Sequence, residues 1–159
     1  MIKPGSLREH LVAALPELKR DPDKLLVFID RGSLVSTYVP GLSFEYRYTL
    51  NLILLDYAGH PDAVMVPLLV WLRANQPELL ANPALREQIT FEADVLDHDK
   101  VDLDIKIPLT ERVGVHPRDG GGYEIQHYPE PQLEPNFEAE HWEVYLKGEL
   151  VATFDSPPQ

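Results

Sequence analysis

The stretch SFEYRYTLNLILLDYAG, Ser43 to Gly59, decides the fold. Phe44, Tyr46, Tyr48, Leu50, Leu52 and Leu54 share one parity and Glu45, Arg47, Thr49 and Asn51 the other, which is the period of a strand buried on one face. From Leu52 to Leu55 both parities are apolar, so the far end of this strand is predicted to be covered on two faces. A strand of this length belongs at the centre of a sheet, with the helical segments on either side packed against it.

Upstream, Ser6, Leu7, Arg8, Glu9 spells a capping box. Leu7, Leu11, Ala14, Leu15 and Leu18 follow at helical spacing, with Pro16 expected to kink or shorten the helix before Asp21, Pro22, Asp23 end it. The apolar run LLVFID predicts a short strand, and Leu34 to Gly41 either extends it past a bulge or forms an arm. Downstream, Tyr57 to Pro61 reads as a loop and Asp62 as the cap of a second helix. Val64, Leu68 and Leu72 form one ridge of that helix and Met65 and Leu69 the next, with Pro67 inside and the Gln76, Pro77 junction as its end. PELLAN and PALREQI are two short helical pieces opened by Pro77 and Pro83.

From Ile89 the period returns to two. Ile89, Phe91, Ala93 and Val95, then Val101, Leu103, Ile105, Ile107 and Leu109, alternate with polar residues around a short polar connection, which predicts an antiparallel hairpin with acids on its polar face. His116 to Glu140, with Gly120 to Gly122 and prolines at 129, 131 and 135, reads mostly as exposed loop, Tyr123 to Tyr128 making one short edge strand. A terminal hairpin closes the chain, Trp142, Val144 and Leu146 facing Leu150, Ala152 and Phe154 across Lys147, Gly148. The expected organisation is a core over residues 1–116, a linker or loop over 117–141 and a hairpin arm of the same domain over 142–155. The fold class is α+β: an antiparallel or mixed β-sheet with two main helices packed on it and a C-terminal β-hairpin.

At 159 residues the chain has the size of one domain. No apolar run approaches the roughly 18 residues that span a bilayer, and the N-terminus has no apolar signal-peptide centre. The absence of cysteine rules out disulfides, thiolate metal sites and cysteine nucleophiles. The net charge of -12 is confined to two segments: residues 92–104 carry six acids against Lys100, and residues 117–159 carry nine against Arg118 and Lys147. Direct nucleic-acid binding is not expected, because phosphate contact needs a concentrated basic surface.

Catalytic patterns are missing. Asp97, His98, Asp99 has ligand types for a metal ion, but adjacent turn residues point apart and no second cluster supplies a third ligand, so a solvated turn is the preferred reading. No GxSxG elbow surrounds Ser33 or Ser43, and Gly120 to Gly122 lacks the lysine and serine or threonine of a phosphate loop. Neither a catalytic residue, a cofactor nor a metal is expected.

Five segments carry a likeness: IKPGSLREHL, SFEYRYTLN, VPLLVWLRANQPELL, TFEADVLDHDKVDLDIKIPLTERV and EVYLKGELVATFD. In this order over nearly the whole chain they resemble the tail completion R proteins of P2-like contractile-tailed phages and prophages. The resemblance implies a non-enzymatic structural virion protein of tail-terminator-like fold, made in the host bacterial cytoplasm and residing in the virion tail. By analogy it would cap the head-proximal end of the tail tube, end polymerisation and present the head-joining surface. Implied partners are further copies in a ring, a hexamer by analogy, the tail tube and sheath proteins, and a head completion or connector protein. On this reading Glu45, Arg47, Thr49 and Asn51 are a candidate subunit or lumen surface, the alternative being a solvated sheet face. Asp97, Asp99, Asp102 and Asp104 are a candidate partner-selecting edge. The competing readings are an assembly chaperone or binding module absent from the particle, and a metal-dependent enzyme using Asp97, His98 and Asp99.

Overall fold

Strand β2 (Phe44–Tyr57) runs antiparallel between β1 (Leu25–Ser36) and β4 (Lys100–Pro117). These elements belong to a computed structural model that describes residues 1–36, 41–97, 100–132 and 140–156, with the backbone alone at 96 and 97. Across the β2 and β4 ladder, Tyr48, Leu50, Leu52 and Leu54 face Leu109, Ile107, Ile105 and Leu103, and all eight are buried. This is the apolar parity of the sequence, fixed in register because a slip of one residue would turn it to water. The other parity differs from expectation at its far end. Ile53 is only half-buried and Leu55 is exposed, because the helices cover a single face.

Along its other edge the 18-residue β4 pairs with β3 (Thr90–Asp97) through Lys100 to Lys106, and with β5 (Tyr123–His127) through Val113 to Pro117. LLVFID and LVS form one continuous strand, β1, with a register shift between Ile29 and Arg31, so the bulge alternative holds as far as Ser36. Residues 37–40 lie outside the described part.

Helices α1 (Lys3–Ala14) and α3 (Pro61–Asn75) lie on the apolar face, with α2 (Pro16–Arg20) and α4 (Pro77–Ala81) as short continuations. Pro16 separates α1 from α2 by holding Leu15 extended, as a residue before proline prefers. PALREQI makes only a turn of 3-10 helix, Pro83–Leu85. Both predicted caps are corrected. Helix α1 begins three residues before Ser6, with Pro4 in its first turn, and Ser6 Oγ instead accepts from Trp71 Nε1 at 3.1 Å. Helix α3 is capped by His60, whose Nδ1 accepts from the Asp62 amide at 3.2 Å. Of the second ridge of α3, Met65 packs half-buried against the core while Leu69 is 45 % exposed, and the buried bulk comes from Trp71 at 0 %. Pro67 sits inside the helix, where it leaves the Ala63 carbonyl without its usual donor.

Strands β6 (His141–Leu146) and β7 (Glu149–Asp155) form the terminal hairpin. Lys147 and Gly148 both have positive φ, 51° and 88°, the primed turn that matches strand twist. A register shift after Val144 puts Leu150 opposite Tyr145, so the expected pairing holds for Trp142 with Phe154 and Val144 with Ala152 only. Ala152 and Phe154 are buried against α1 and α3. Between these layers the His10 and Phe154 rings meet edge to face with their centroids 5.1 Å apart, and His10 Nε2 lies 3.1 Å from the Pro67 carbonyl. Burial holds the His10 pKa below the ordinary 6.5, and the bond to the Pro67 carbonyl opposes it. Protonation then favours the unfolded chain, so this stability is present above pH 6.5 and is lost as pH falls through the lower folded value. Thermal unfolding between pH 4.5 and 7.5 should show the loss, and His10→Gln should reduce that pH step; an unchanged step would remove His10 as its source.

Candidate functional site

Cross-strand partners share a face, so the ladders map the outer side of the sheet, away from the helices. At one end Glu45 stands between Val35 and Arg112, Arg47 between Ser33 and Thr110, and Thr49 between Arg31 and Pro108. Next come Phe28, Asn51, Lys106 and Thr90 in one row. At the other end Asp104 lies opposite Glu92 and Asp102 opposite Asp94. The face is therefore polarised along the strands: three arginines and Lys106 against Glu45 at one end, four carboxylates at the other. Like charges directly opposite are destabilising, so the acid pairs do not serve the stability of the lone chain.

The basic end forms the floor of a groove of about 850 Å³, walled by the segment that leaves α3. Arg47 Nε reaches Glu45 Oε1 at 2.6 Å, an exposed pair. Asn51 is buried, its amide 3.3 Å from Asp30 Oδ2 and its own carbonyl oxygen without a partner. Asp102 Oδ1 accepts from the Asp56 amide at 2.7 Å, which holds Asp56 at φ 49° beside the β2 bulge. Asp104 has one buried, unpartnered oxygen. The Asp97 side chain, His98 and Asp99 lie outside the described residues. Among the described residues no group of three or more His, Asp or Glu side chains is placed to hold a metal ion.

A second polar system is buried where the edge of β4 away from β2 has no strand partner, between its ladder with β3, ending at Lys106, and its ladder with β5, beginning at Val113. Gln76 fills that gap, its Oε1 accepting from the Thr110 amide at 3.2 Å and its Nε2 donating to Thr110 Oγ1 at 3.0 Å. Lys3 Nζ donates to Gln76 Oε1 at 2.7 Å and to Glu130 at 2.9 Å. Glu111, 3 % exposed, accepts from the Ile2 and Lys3 amides at 2.8 and 3.3 Å and from the Tyr48 hydroxyl. The missing local cap of α1 is thus supplied by a carboxylate on β4, placed where a helix start favours negative charge. His127 Nδ1 lies 3.2 Å from Glu111 Oε2, near enough for attraction but without hydrogen-bond geometry. Burial lowers the Lys3 pKa below the lysine range, opposed by Glu130 and Glu111, and burial with the Glu111 bond pushes the Tyr48 phenol far up. A sequence signal for this cluster existed: Glu111 interrupts the apolar parity from Leu103 to Val113.

The family of P2 phage tail completion protein R (GpR) matches residues 1–131. The chain belongs to this family. Tail completion protein R of Escherichia phage P2 is 41 % identical over 156 residues, 98 % of this chain and 99 % of that protein. No solved structure matches. The family match spans the outer face, the groove and the buried cluster alike, and ends just past Glu130. The α+β fold class and the family expected from the sequence are the ones found. Of the eight candidate interface residues, Glu45, Arg47 and Thr49 share the basic end, Asn51 is buried behind it, and Asp102 and Asp104 stand at the acidic end about eight residues away along β4.

Proposed function

We propose that this chain completes the phage tail as a structural, non-catalytic part: it caps the head-proximal end of the tail tube, ends polymerisation and presents the surface to which the head joins. The observation that carries this reading is its kinship, along almost the full length of both chains, with a protein named for tail completion. Its partners are further copies in a ring, the tube and sheath proteins, and a head completion or connector protein. Assembly takes place in the host cytoplasm, and no helix among the described residues is long and apolar enough to cross a membrane. The polarised outer face suits the role, since charge arrangement selects partners and their orientation. Within it Glu45, Arg47, Thr49 and Asp104 are contact candidates, while Asp102 also pins the Asp56 bulge.

Deleting the gene from its phage or prophage should give over-long, headless tails, and gold-labelled antibody should mark the head-proximal end of wild-type tails. Tails of normal length joined to heads would refute the capping role, and absence of the chain from purified tails would favour a chaperone. Arg47→Glu should lower the titre of assembled particles at least tenfold while melting within a few degrees of wild type, since an exposed ion pair contributes only about 0.2–1 kcal/mol. An unchanged titre would leave Arg47 as part of a solvated face.

A further inference from the structure

From Thr90 to Val95 strand β3 is exposed on both faces. On the helix side Phe91 and Val95, partners of the buried Ile105 and of Val101, are 62 % and 80 % exposed because no helix reaches them. On the outer side Glu92 and Asp94 oppose Asp104 and Asp102. The β3 side of this hairpin is therefore a finger with one apolar and one acidic face: Phe91 and Val95 are left uncovered and, among the described residues, the carboxylates of Glu92 and Asp94 have no hydrogen bond or ion pair, whereas Asp102 is held by the Asp56 amide. The groove at the other end has the matching chemistry. Leu79, Leu85 and Pro108 line it beside Arg31, Arg47 and Arg112. Among the described residues neither the Arg31 nor the Arg112 side chain has a hydrogen bond or ion pair. The wall also holds Glu130, neutralised by Lys3, and Glu78, which accepts from the Gln76 amide.

The finger cannot fill the groove of its own chain. Asp102 and Thr110 are eight residues apart along one strand, about 26 Å of chain at roughly 3.3 Å per residue. We propose that the β3–β4 finger of one copy seats in the arginine-floored groove of the next, Phe91 and Val95 meeting its apolar wall and Glu92 and Asp94 its free arginines. The contact joins two different surfaces, so it propagates from copy to copy and closes as a ring where the rotation allows. It rests on the homo-oligomeric reading above and names the surfaces that reading requires.

The chain has no cysteine, so single cysteines report contacts cleanly. Ala93→Cys marks the finger and Ser33→Cys the groove rim; both positions are exposed. After treatment of purified tails carrying these variants with a short bismaleimide, the mixed pair should give cross-linked dimers, either variant alone none, and the double variant a ladder. Arg31→Glu with Arg112→Glu should reduce cross-linking at least tenfold, Glu92→Arg with Asp94→Arg likewise, and all four together should restore it. Matching circular dichroism and melting confirm that each variant is folded. Cross-links from either cysteine alone, a groove cross-linked only to another tail protein, or charge changes without effect would overturn the proposal. Gold label at the tail end without finger-to-groove cross-links refutes this contact and leaves the capping role standing; cross-links without tail-end label do the reverse.

Discussion

Replacing Glu111 by alanine should lower the unfolding free energy by about 3–5 kcal/mol, the range for breaking a buried charge cluster from one side. Three donors lose their acceptor at once: the Ile2 and Lys3 amides and the Tyr48 hydroxyl. Lys3 keeps Gln76 and Glu130 but loses a neighbouring negative charge while 7 % exposed. For a chain of this size each kcal/mol shifts the melting temperature by about 2–4 °C, so a drop on the order of 10 °C is expected by calorimetry. Lys3→Met should cost less when added to Glu111→Ala than when made alone, because residues in one network are not additive. A Glu111→Ala protein that melts within two or three degrees of wild type would show that water takes over the carboxylate's role.

Trp71→Ala should be comparably damaging, about 3–5 kcal/mol, as for other buried aromatics cut back to a methyl. The indole is wholly buried between α1 and the sheet, and its N–H is held by Ser6 Oγ. Trp71→Phe keeps most of the volume and loses that bond, leaving the hydroxyl of Ser6, which is exposed, free to reach water. It should cost about 1–2 kcal/mol, near the worth of one bond plus a small void. Denaturant titration of both variants gives the two values; near-equal losses would mean that the bond, and not the volume, matters at this position.

These two residues also mark where the sequence was readable. The one-sided parity of β2 marked its buried face directly, because alternation and exposure have the same cause there. Ser6 followed by Glu9 satisfied the local rule for a helix start, yet α1 starts earlier, its amides being taken by a carboxylate more than a hundred residues away. Local patterns carry no information about such a partner. Asp62 lost its place to His60 for a smaller reason: Pro61 at the first helical position shifts the cap one residue upstream of it. Phe91 and Val95 show a different limit. Alternation records that a face is made to be covered, and it reads the same whether the cover belongs to the chain itself or to another molecule.

The union of Ile2 and Lys3 with Glu111 and Glu130 also sets an order of events at the ribosome. The first helix leaves the exit tunnel early, but its first turn is not capped until residue 111, and then residue 130, have followed it. A chain broken off before that point keeps its opening helix unanchored and its lysine without a counter-charge. Truncated products that end before residue 111 should therefore be cut faster by proteases than the completed chain.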